Sequence, residues 1–239
     1  MKCANCNKAG DELRGCSVCQ SSQYCSVDCQ KQHWSVHKTE CTSVGCLKLI
    51  EAIQRDDKAT VERLAKTKRV LNGKVDYTPP STERLPDPYT MEGWTALHEC
   101  VRQTNVDMMK ILVKNGAKLE VKDVDGETPL FVAATSSSPE LLQTLLSGGA
   151  NPNAQGGDGW TALMMSARDG SYENTKLLLE AGANLYLGRD MFGRTALDIS
   201  NSTVSGQVGL RMSQGETHQE AMAKHMKVNE LLSRWASRF

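Results

Sequence analysis

Cysteine is the residue type whose spacing in this chain predicts chemistry most directly. Seven of the nine cysteines fall within the first 41 residues, where they form short pairs together with one histidine. The pairs are Cys3 and Cys6, Cys16 and Cys19, Cys25 and Cys29, and His37 and Cys41. Two intervening residues allow a tight turn to direct both sulfurs at one ion, and three place the pair about one helical turn apart. Eight such donors suffice for two closed tetrahedral zinc sites, which leave no open position for catalysis.

Metal binding also suits the size of this segment. A stretch of about 39 residues buries too little apolar surface to fold alone, whereas a structural zinc supplies on the order of 10–16 kcal/mol. The N-terminus has no apolar signal region, so we expect reduced thiols and an intracellular, soluble protein of the cytoplasm or the nucleus.

The cysteine cluster resembles a MYND finger. The resemblance rests on Cys25-Ser26, Cys29-Gln30, Trp34 and His37-Lys38, followed by Cys41 and preceded by Tyr24. It implies cross-braced zinc binding, a pairing that the spacing alone does not select. The implied ligands of the first zinc are Cys3, Cys6, Cys25 and Cys29, and those of the second are Cys16, Cys19, His37 and Cys41. His33 is an alternative to His37, but the motif favours His37.

The same resemblance implies a function for the finger. MYND fingers bind short proline-rich peptides, so Trp34, Ser26 and Gln30 would line a peptide groove. Trp34 has a second interpretation, as the small apolar core of the finger. The two roles are compatible.

The rest of the sequence repeats with a period of about 33 residues. A motif that begins Gly-x-Thr and continues to a leucine recurs around Thr95, Thr128, Thr161 and Thr195, at steps of 33, 33 and 34. A second motif keeps the same step, and its copies are Gly116-Ala117, Gly149-Ala150 and Gly182-Ala183. Period and motifs resemble the ankyrin repeat from about Met91 to Asp198. The resemblance implies units of two antiparallel helices and a hairpin, which must stack because no unit buries its own face.

We therefore expect a small two-zinc MYND finger followed by an all-α ankyrin-repeat solenoid with short hairpin loops. We assign residues 1–45 to the finger, 46–90 to a degenerate ankyrin-like cap with a proline-rich loop, and 91–239 to the repeats. The repeats divide into 91–123, 124–157, 158–190 and 191–239, the last with an insertion.

The ends of the repeat region are atypical. Leu47–Ile53 and Val61–Leu64 predict a helical pair in the cap, and the following Tyr77–Tyr89 segment holds four of the seven prolines. At the other end, the polar Asn201–Gly215 segment interrupts the last repeat. Glu216–Phe239 then recovers helical spacing, as a closing helix or as an amphipathic helix that binds a partner.

These features favour a protein–protein interaction adaptor without catalytic residues. The finger would bind one partner, and the solenoid would bind a second through its concave helices and hairpin tips near Lys122–Asp125, Gln155–Asp158 and Gly188–Met191. Aromatic residues and arginine dominate binding hot spots. The candidates in the solenoid are Trp94, Trp160, Arg168 and Arg189. His98 occupies the histidine position of the ankyrin motif, where it hydrogen-bonds within the repeat.

Composition limits the other classes of partner. The chain has 28 Lys and Arg against 28 Asp and Glu, and its longest apolar run is only Leu130–Ala134. We therefore expect no nucleic-acid or membrane partner, and a monomer. The alternatives are a nuclear co-regulator of transcription, a methyltransferase, because MYND fingers are sometimes joined to SET domains, and a nucleic-acid binder.

Overall fold

The structure is a computed structural model that describes residues 14–15, 23–24, 45–77, 91–205 and 216–238. All eight predicted zinc ligands lie outside these residues, as do Ser26, Gln30 and Trp34. So do residues 78–90 of the proline-rich loop and residues 206–215 of the insertion.

Two short strands are described within the finger segment. β1 (Arg14–Gly15) pairs antiparallel with β2 (Gln23–Tyr24), with Arg14 opposite Tyr24 and Gly15 opposite Gln23.

The cap begins with the predicted helical pair. α1 covers residues 45–54, α2 is Lys58–Ala65, and a short α3 is Lys68–Leu71. β3 (Val75–Tyr77) and β4 (Met91–Trp94) then pair antiparallel, with Val75 opposite Trp94. These two strands flank the predicted proline-rich loop and form a ribbon that leads into the first full repeat.

Eight further helices lie in two rows within the described residues. The first row has the first helix of each repeat: α4 (Ala96–Arg102), α6 (Pro129–Ala133), α8 (Ala162–Asp169) and α10 (Ala196–Val204). The second row has α5 (Val106–Lys114), α7 (Pro139–Ser147), α9 (Tyr172–Glu180) and α11 (His218–Ala236). Each helix contacts its neighbours in its own row and its partner in the same repeat.

The threonines of the repeated motif begin the helices of the first row. The side chains of Thr128, Thr161 and Thr195 accept hydrogen bonds from backbone N–H groups three residues later, at 3.2, 3.3 and 3.4 Å. These bonds satisfy donors that the first helical turn leaves unpaired. Pro129 occupies the first turn of α6, where the missing N–H costs nothing.

One continuous apolar core joins the cap to the closing helix. It extends from Leu49 in α1 to Leu232 in α11 and runs between the two rows. α11 packs against α8, α9 and α10, and so completes the pair that α10 begins. α10 itself continues through Val204, into the predicted insertion, and the buried Thr203 hydroxyl there donates to the Ile199 carbonyl at 2.9 Å.

The hairpin turns lie one or two residues later than the sequence predicted. Hydrogen bonds close them at Asp123–Gly126, Gly156–Gly159 and Asp190–Gly193, so each turn ends at the glycine that begins the repeated motif. Successive turns also touch one another. A Cβ on Gly126, whose φ is +77°, would lie 2.8 Å from the backbone nitrogen of Gly157.

Side chains join the loop after α3 and the loops that follow the second-row helices. Asn72 Oδ1 accepts from the Lys118 N–H at 2.6 Å, Glu120 Oε1 from Asn151 at 2.8 Å, and Asn153 Oδ1 from Asn184 at 2.7 Å. Tyr186 holds the equivalent position in the next loop and is 57% exposed. Throughout the described ranges, no helix combines the length and apolarity needed to cross a membrane.

Candidate protein-binding surface

A buried carboxylate lies in α4, at the start of the surface formed by the first-row helices and the hairpins that precede them. We call this surface the first-row surface. The Glu99 side chain is 0% exposed, and it accepts hydrogen bonds from Arg102 Nε at 3.0 Å and Nη2 at 2.6 Å. Gln103 and the Trp94 indole N–H donate at 3.1 and 3.2 Å. Burial raises the pKa of Glu99, but hydrogen bonds from Arg102, Gln103 and Gln54 outweigh it, so the pKa is lowered overall. The indole of Trp94 is therefore fixed by a charged network.

His98 connects this network to the second hairpin. Its Nδ1 accepts from the Thr95 N–H at 3.3 Å, and its Nε2 lies 3.2 Å from the Glu127 carbonyl oxygen. This arrangement requires the neutral tautomer with the proton on Nε2. Burial also lowers the pKa of His98. The predicted hydrogen-bonding role is therefore confirmed, and the ring of Trp94 lies 5.0 Å from that of His98.

Glu127 is a partly buried acid beside two other acids. Its N–H donates to Asp123 Oδ1 at 2.9 Å, and Asp125 lies in the same turn. Burial raises the pKa of Glu127 to about 7, with added repulsion from Asp123 and Asp125 and a smaller opposing effect of Arg168. The carboxyl group therefore titrates near neutral pH.

Arg168 and Trp160 lie in the repeat that follows Glu127. The Arg168 guanidinium is 5.1 Å from the centre of the Trp160 ring, within the range of a cation–π contact. The same guanidinium lies 3.6 Å from Asp169 Oδ1. Both Trp160 and Arg168 are half-buried, so part of each faces solvent.

The structure places three of the four predicted solenoid residues in the first and third of the stacked repeats, and it brings two of them, Trp160 and Arg168, into contact. The rings of Trp94 and His98 lie 5.0 Å apart, His98 contacts the backbone of Glu127, and Arg168 lies over Trp160. Trp94, Glu127 and Trp160 hold equivalent positions in consecutive stacked repeats, and we call these five residues the tryptophan–glutamate strip. The fourth residue, Arg189, lies exposed on the last hairpin and donates to the Gly193 carbonyl at 2.7 Å.

The sequence reasoning missed Glu127 and Glu99. Glu127 follows the glycine and precedes the threonine of its motif, as Trp94 and Trp160 do in theirs. Aligning the repeats position by position would have found it. Nothing in the local sequence distinguishes Glu99 from a surface acid.

The last hairpin also exposes apolar side chains. Met191 and Phe192 are 89% and 72% exposed, and the Arg194 guanidinium lies 4.9 Å from the Phe192 ring centre. Arg194 is also paired with the buried Asp190, at 2.6 Å.

The finger segment has the donors that zinc requires. Its eight candidate ligands lie outside the described residues, so their fit to zinc is judged from the types of ligand and from their order in the sequence. Thiolate and imidazole are the ligands of structural zinc. Cys16 and Cys19 fall between β1 and β2 in the chain, whereas Cys25 follows β2.

Comparison with known proteins identifies both parts of the chain. The family model "Ankyrin repeats (3 copies)" matches residues 49–156 and 130–205, which together make up more than half of the sequence. The family model "MYND finger" matches residues 3–41. MYND fingers bind zinc, and both modules bind proteins.

Curated relatives match smaller pieces. Ankyrin repeat and SOCS box protein 3 of Bos taurus is 50% identical over 46 residues, which are 19% of this chain and 9% of the relative. Deformed epidermal autoregulatory factor 1 of Drosophila melanogaster is 49% identical over 41 residues, 17% of this chain and 7% of the relative. Histone-lysine N-methyltransferase SMYD3 of Mus musculus is 26% identical over 129 residues, 54% of this chain and 28% of the relative.

The chain therefore spans less than a third of the length of each of these three relatives. The helical stack, its threonine-capped first row and the two family matches agree. The chain belongs to the ankyrin-repeat family and carries a MYND finger ahead of its repeats.

Proposed function

We propose that this protein is an adaptor that binds two protein partners, one through the finger and one through the first-row surface. The tryptophan–glutamate strip is the observation that supports the second site. Trp94 is held by its hydrogen bond to Glu99 and Trp160 by its cation–π contact with Arg168, yet both rings are partly exposed to solvent. Aromatic rings held in this way lose little conformational freedom when a partner covers them.

The finger site is proposed from the MYND match. Trp34, Ser26 and Gln30 would bind a short proline-containing peptide. Two zinc ions would hold the finger, one bound by Cys3, Cys6, Cys25 and Cys29 and one by Cys16, Cys19, His37 and Cys41. Bound zinc cross-links the segment and takes no part in a reaction. The MYND match supports this pairing of the ligands.

The domain division is part of the same proposal. Residues 1–45 form the finger, 46–90 the cap and its loop, and 91–239 the repeats. The four repeats, 91–123, 124–157, 158–190 and 191–239, act as one rigid support for the strip. We further propose that the protein works as a monomer and binds no nucleic acid.

Single substitutions in the full chain test the two sites. Affinity capture from cell extract would compare wild type with Trp34→Ala and Trp160→Ala, and retained proteins would be identified by mass spectrometry. Tyr172→Ala is the control, because Tyr172 is an exposed aromatic residue at the start of α9 in the second row. We expect each tryptophan variant to lose different proteins and the control to lose none. Loss of the same proteins from both variants would contradict two independent sites.

Proline-rich peptides test the finger directly. We expect these peptides to bind wild type but not the Trp34→Ala variant. Control peptides in which alanine replaces every proline should not bind wild type. Zinc content should stay at about two ions per chain in that variant, because Trp34 is not a ligand. Loss of zinc would show that Trp34 supports the finger core instead.

Methyl transfer is the second candidate, because the mouse methyltransferase matches 54% of the chain. Incubation of the full protein with radiolabelled S-adenosylmethionine and histones tests it. We expect no labelled protein. Transfer to any substrate would replace the adaptor proposal. Filter binding to DNA at low salt is a separate test, for nucleic-acid binding.

A further inference from the structure

We propose that the tryptophan–glutamate strip binds an extended basic segment of a partner protein, with a lysine or arginine of that segment paired with Glu127. This inference rests on the proposed function, and it specifies the chemistry of the partner at the first-row site.

The charges around the strip favour a cationic partner. Asp123, Asp125 and Glu127 lie in or beside one hairpin turn, and Asp158 is exposed in the next. Arg102 is paired with the buried Glu99, and Arg168 is shared between Trp160 and Asp169. These cations are therefore already engaged within the protein.

Among the described residues, Lys74, Lys122 and His98 are the other titratable groups at the strip. From the cap, Lys74 Nζ donates to the Lys122 carbonyl at 2.6 Å, and Lys122 itself is exposed on the same hairpin as Glu127. From α4, His98 is neutral, as its hydrogen bonds require. Asp123, Asp125, Glu127 and Asp158 outnumber the two lysines that remain once Arg102 and Arg168 are counted with Glu99 and Asp169, so the charge around the strip favours a cationic partner over an anionic one.

The aromatic rings supply the second part of the recognition. Arg168 shows that the Trp160 ring accepts a guanidinium at 5.1 Å. Trp94 offers a second partly exposed ring one repeat before Glu127, held by its indole N–H. A segment that places a cation at Glu127 and apolar or cationic side chains over the two rings would contact the whole strip.

Binding of a cation at Glu127 must also move protons. With its pKa raised to about 7, Glu127 is partly protonated at neutral pH. A lysine or arginine beside it favours the ionised form and lowers that pKa. We therefore expect binding near pH 7 to release up to about half a proton per complex.

The full chain and two labelled peptides test the inference. The probe alternates Lys and Leu, and the control peptide of equal length alternates Glu and Leu. Calorimetry at pH 7 in two buffers of different ionisation enthalpy measures affinity and proton release. We expect the Lys-Leu peptide to bind with proton release and the Glu-Leu peptide not to bind.

Two variants distinguish pairing at Glu127 from general attraction. Glu127→Gln should weaken binding of the Lys-Leu peptide about tenfold or more and abolish the proton release. Glu173→Gln removes the same charge from an exposed position on α9 and should change neither. Equal weakening by both variants, or equal binding of both peptides, would overturn the inference.

The outcomes separate the inference from the adaptor proposal. If Trp160→Ala loses a captured protein but wild type does not bind the Lys-Leu peptide, the adaptor proposal is supported and the inference of a basic partner is wrong. If Trp160→Ala and the control retain the same proteins, the first-row site itself is wrong.

Discussion

Gly170 and His225 lie so close together that residue 170 has no room for a side chain. A Cβ there would be 2.8 Å from both Cε1 and Nδ1 of the imidazole. His225 is buried, and its Nε2 is 3.1 Å from the Arg168 carbonyl oxygen near the end of α8. This contact joins the closing helix to the third repeat, although the two lie far apart in the sequence, and hence fixes where α11 docks.

Gly170→Ala should therefore weaken the docking of α11. The substitution adds the cost of a left-handed residue, since φ is +69°, to a clash with a buried ring. We expect a loss of about 2–4 kcal/mol in the free energy of unfolding, measured with urea. Hydrogen exchange in α11 should accelerate.

Gly182→Ala is the matched control for this prediction. Gly182 has a φ of +87°, but a Cβ added there would have no other atom within 4 Å. Only the backbone cost of about 1 kcal/mol applies at this position. Equal effects of the two substitutions would show that the contact with His225 is unimportant.

Removal of the Arg102 side chain should lower the free energy of unfolding, because it leaves the buried Glu99 carboxylate without its cationic partner. Arg102→Ala leaves Glu99 with Trp94, Gln103 and Gln54 as donors, all of them uncharged, so we expect a loss of about 1–3 kcal/mol at pH 7. Arg234→Ala, in an exposed pair with Glu230, should cost less than about 0.5 kcal/mol. Urea unfolding of both variants checks the difference.

The pH dependence of this effect has a definite sign. The folded-state pKa of Glu99 is below its usual value of 4.5, so its stabilisation is present above that value and is lost as pH falls through the lowered pKa. In Arg102→Ala the folded-state pKa rises. The variant should therefore lose stability at a higher pH than wild type on acid titration, and coincident acid transitions would contradict this account.

Glu127→Gln should stabilise the protein at alkaline pH. The folded-state pKa of Glu127 is raised to about 7, so the stability that its neutral form contributes is full below its usual 4.5 and is lost as pH rises through about 7. Glutamine stays neutral, and we expect a gain of about 1 kcal/mol at pH 8 after allowance for solvent screening, and almost none at pH 5. Urea unfolding at both values, with Glu173→Gln as the control, measures it.

Asn153→Ala should weaken the coupling between neighbouring repeats. Asn153 accepts from the Asn184 N–H at 2.7 Å and donates to the Gly182 carbonyl at 3.2 Å. At about 1 kcal/mol for each hydrogen bond, we expect a loss of about 1–2 kcal/mol. Tyr186→Ala, at the equivalent position of the next loop, should change stability by less than that, and a larger effect of Tyr186 would contradict the role of the loop contacts.

Loss of zinc should unfold the finger and spare the repeats. Cys16→Ser removes a proposed ligand, and a structural zinc site with three ligands does not hold a segment this small. Among the residues that the structure describes, the repeat core extends from Leu49 in α1 to Leu232 in α11. Far-UV circular dichroism should therefore retain the helical signal while zinc content falls, and a proportional loss of helix would argue against independent modules.

The sequence by itself determined the repeating local structure. A threonine such as Thr161 caps a helix through a hydroxyl that reaches only three residues along the chain. Contacts of that range repeat wherever the motif repeats, so the period located the first-row helices before any packing was known. Likewise, the paired cysteines and the Trp34–Cys41 motif identified the finger without its fold.

The tertiary structure alone decided which of these residues act together. His98 and Glu127 meet 29 residues apart and His225 meets Arg168 57 residues apart, because stacking brings successive repeats into contact. Burial at those contacts, which no local pattern encodes, raises the pKa of Glu127. The period thus fixed each unit, whereas the packing of unit on unit created the strip between Trp94 and Trp160.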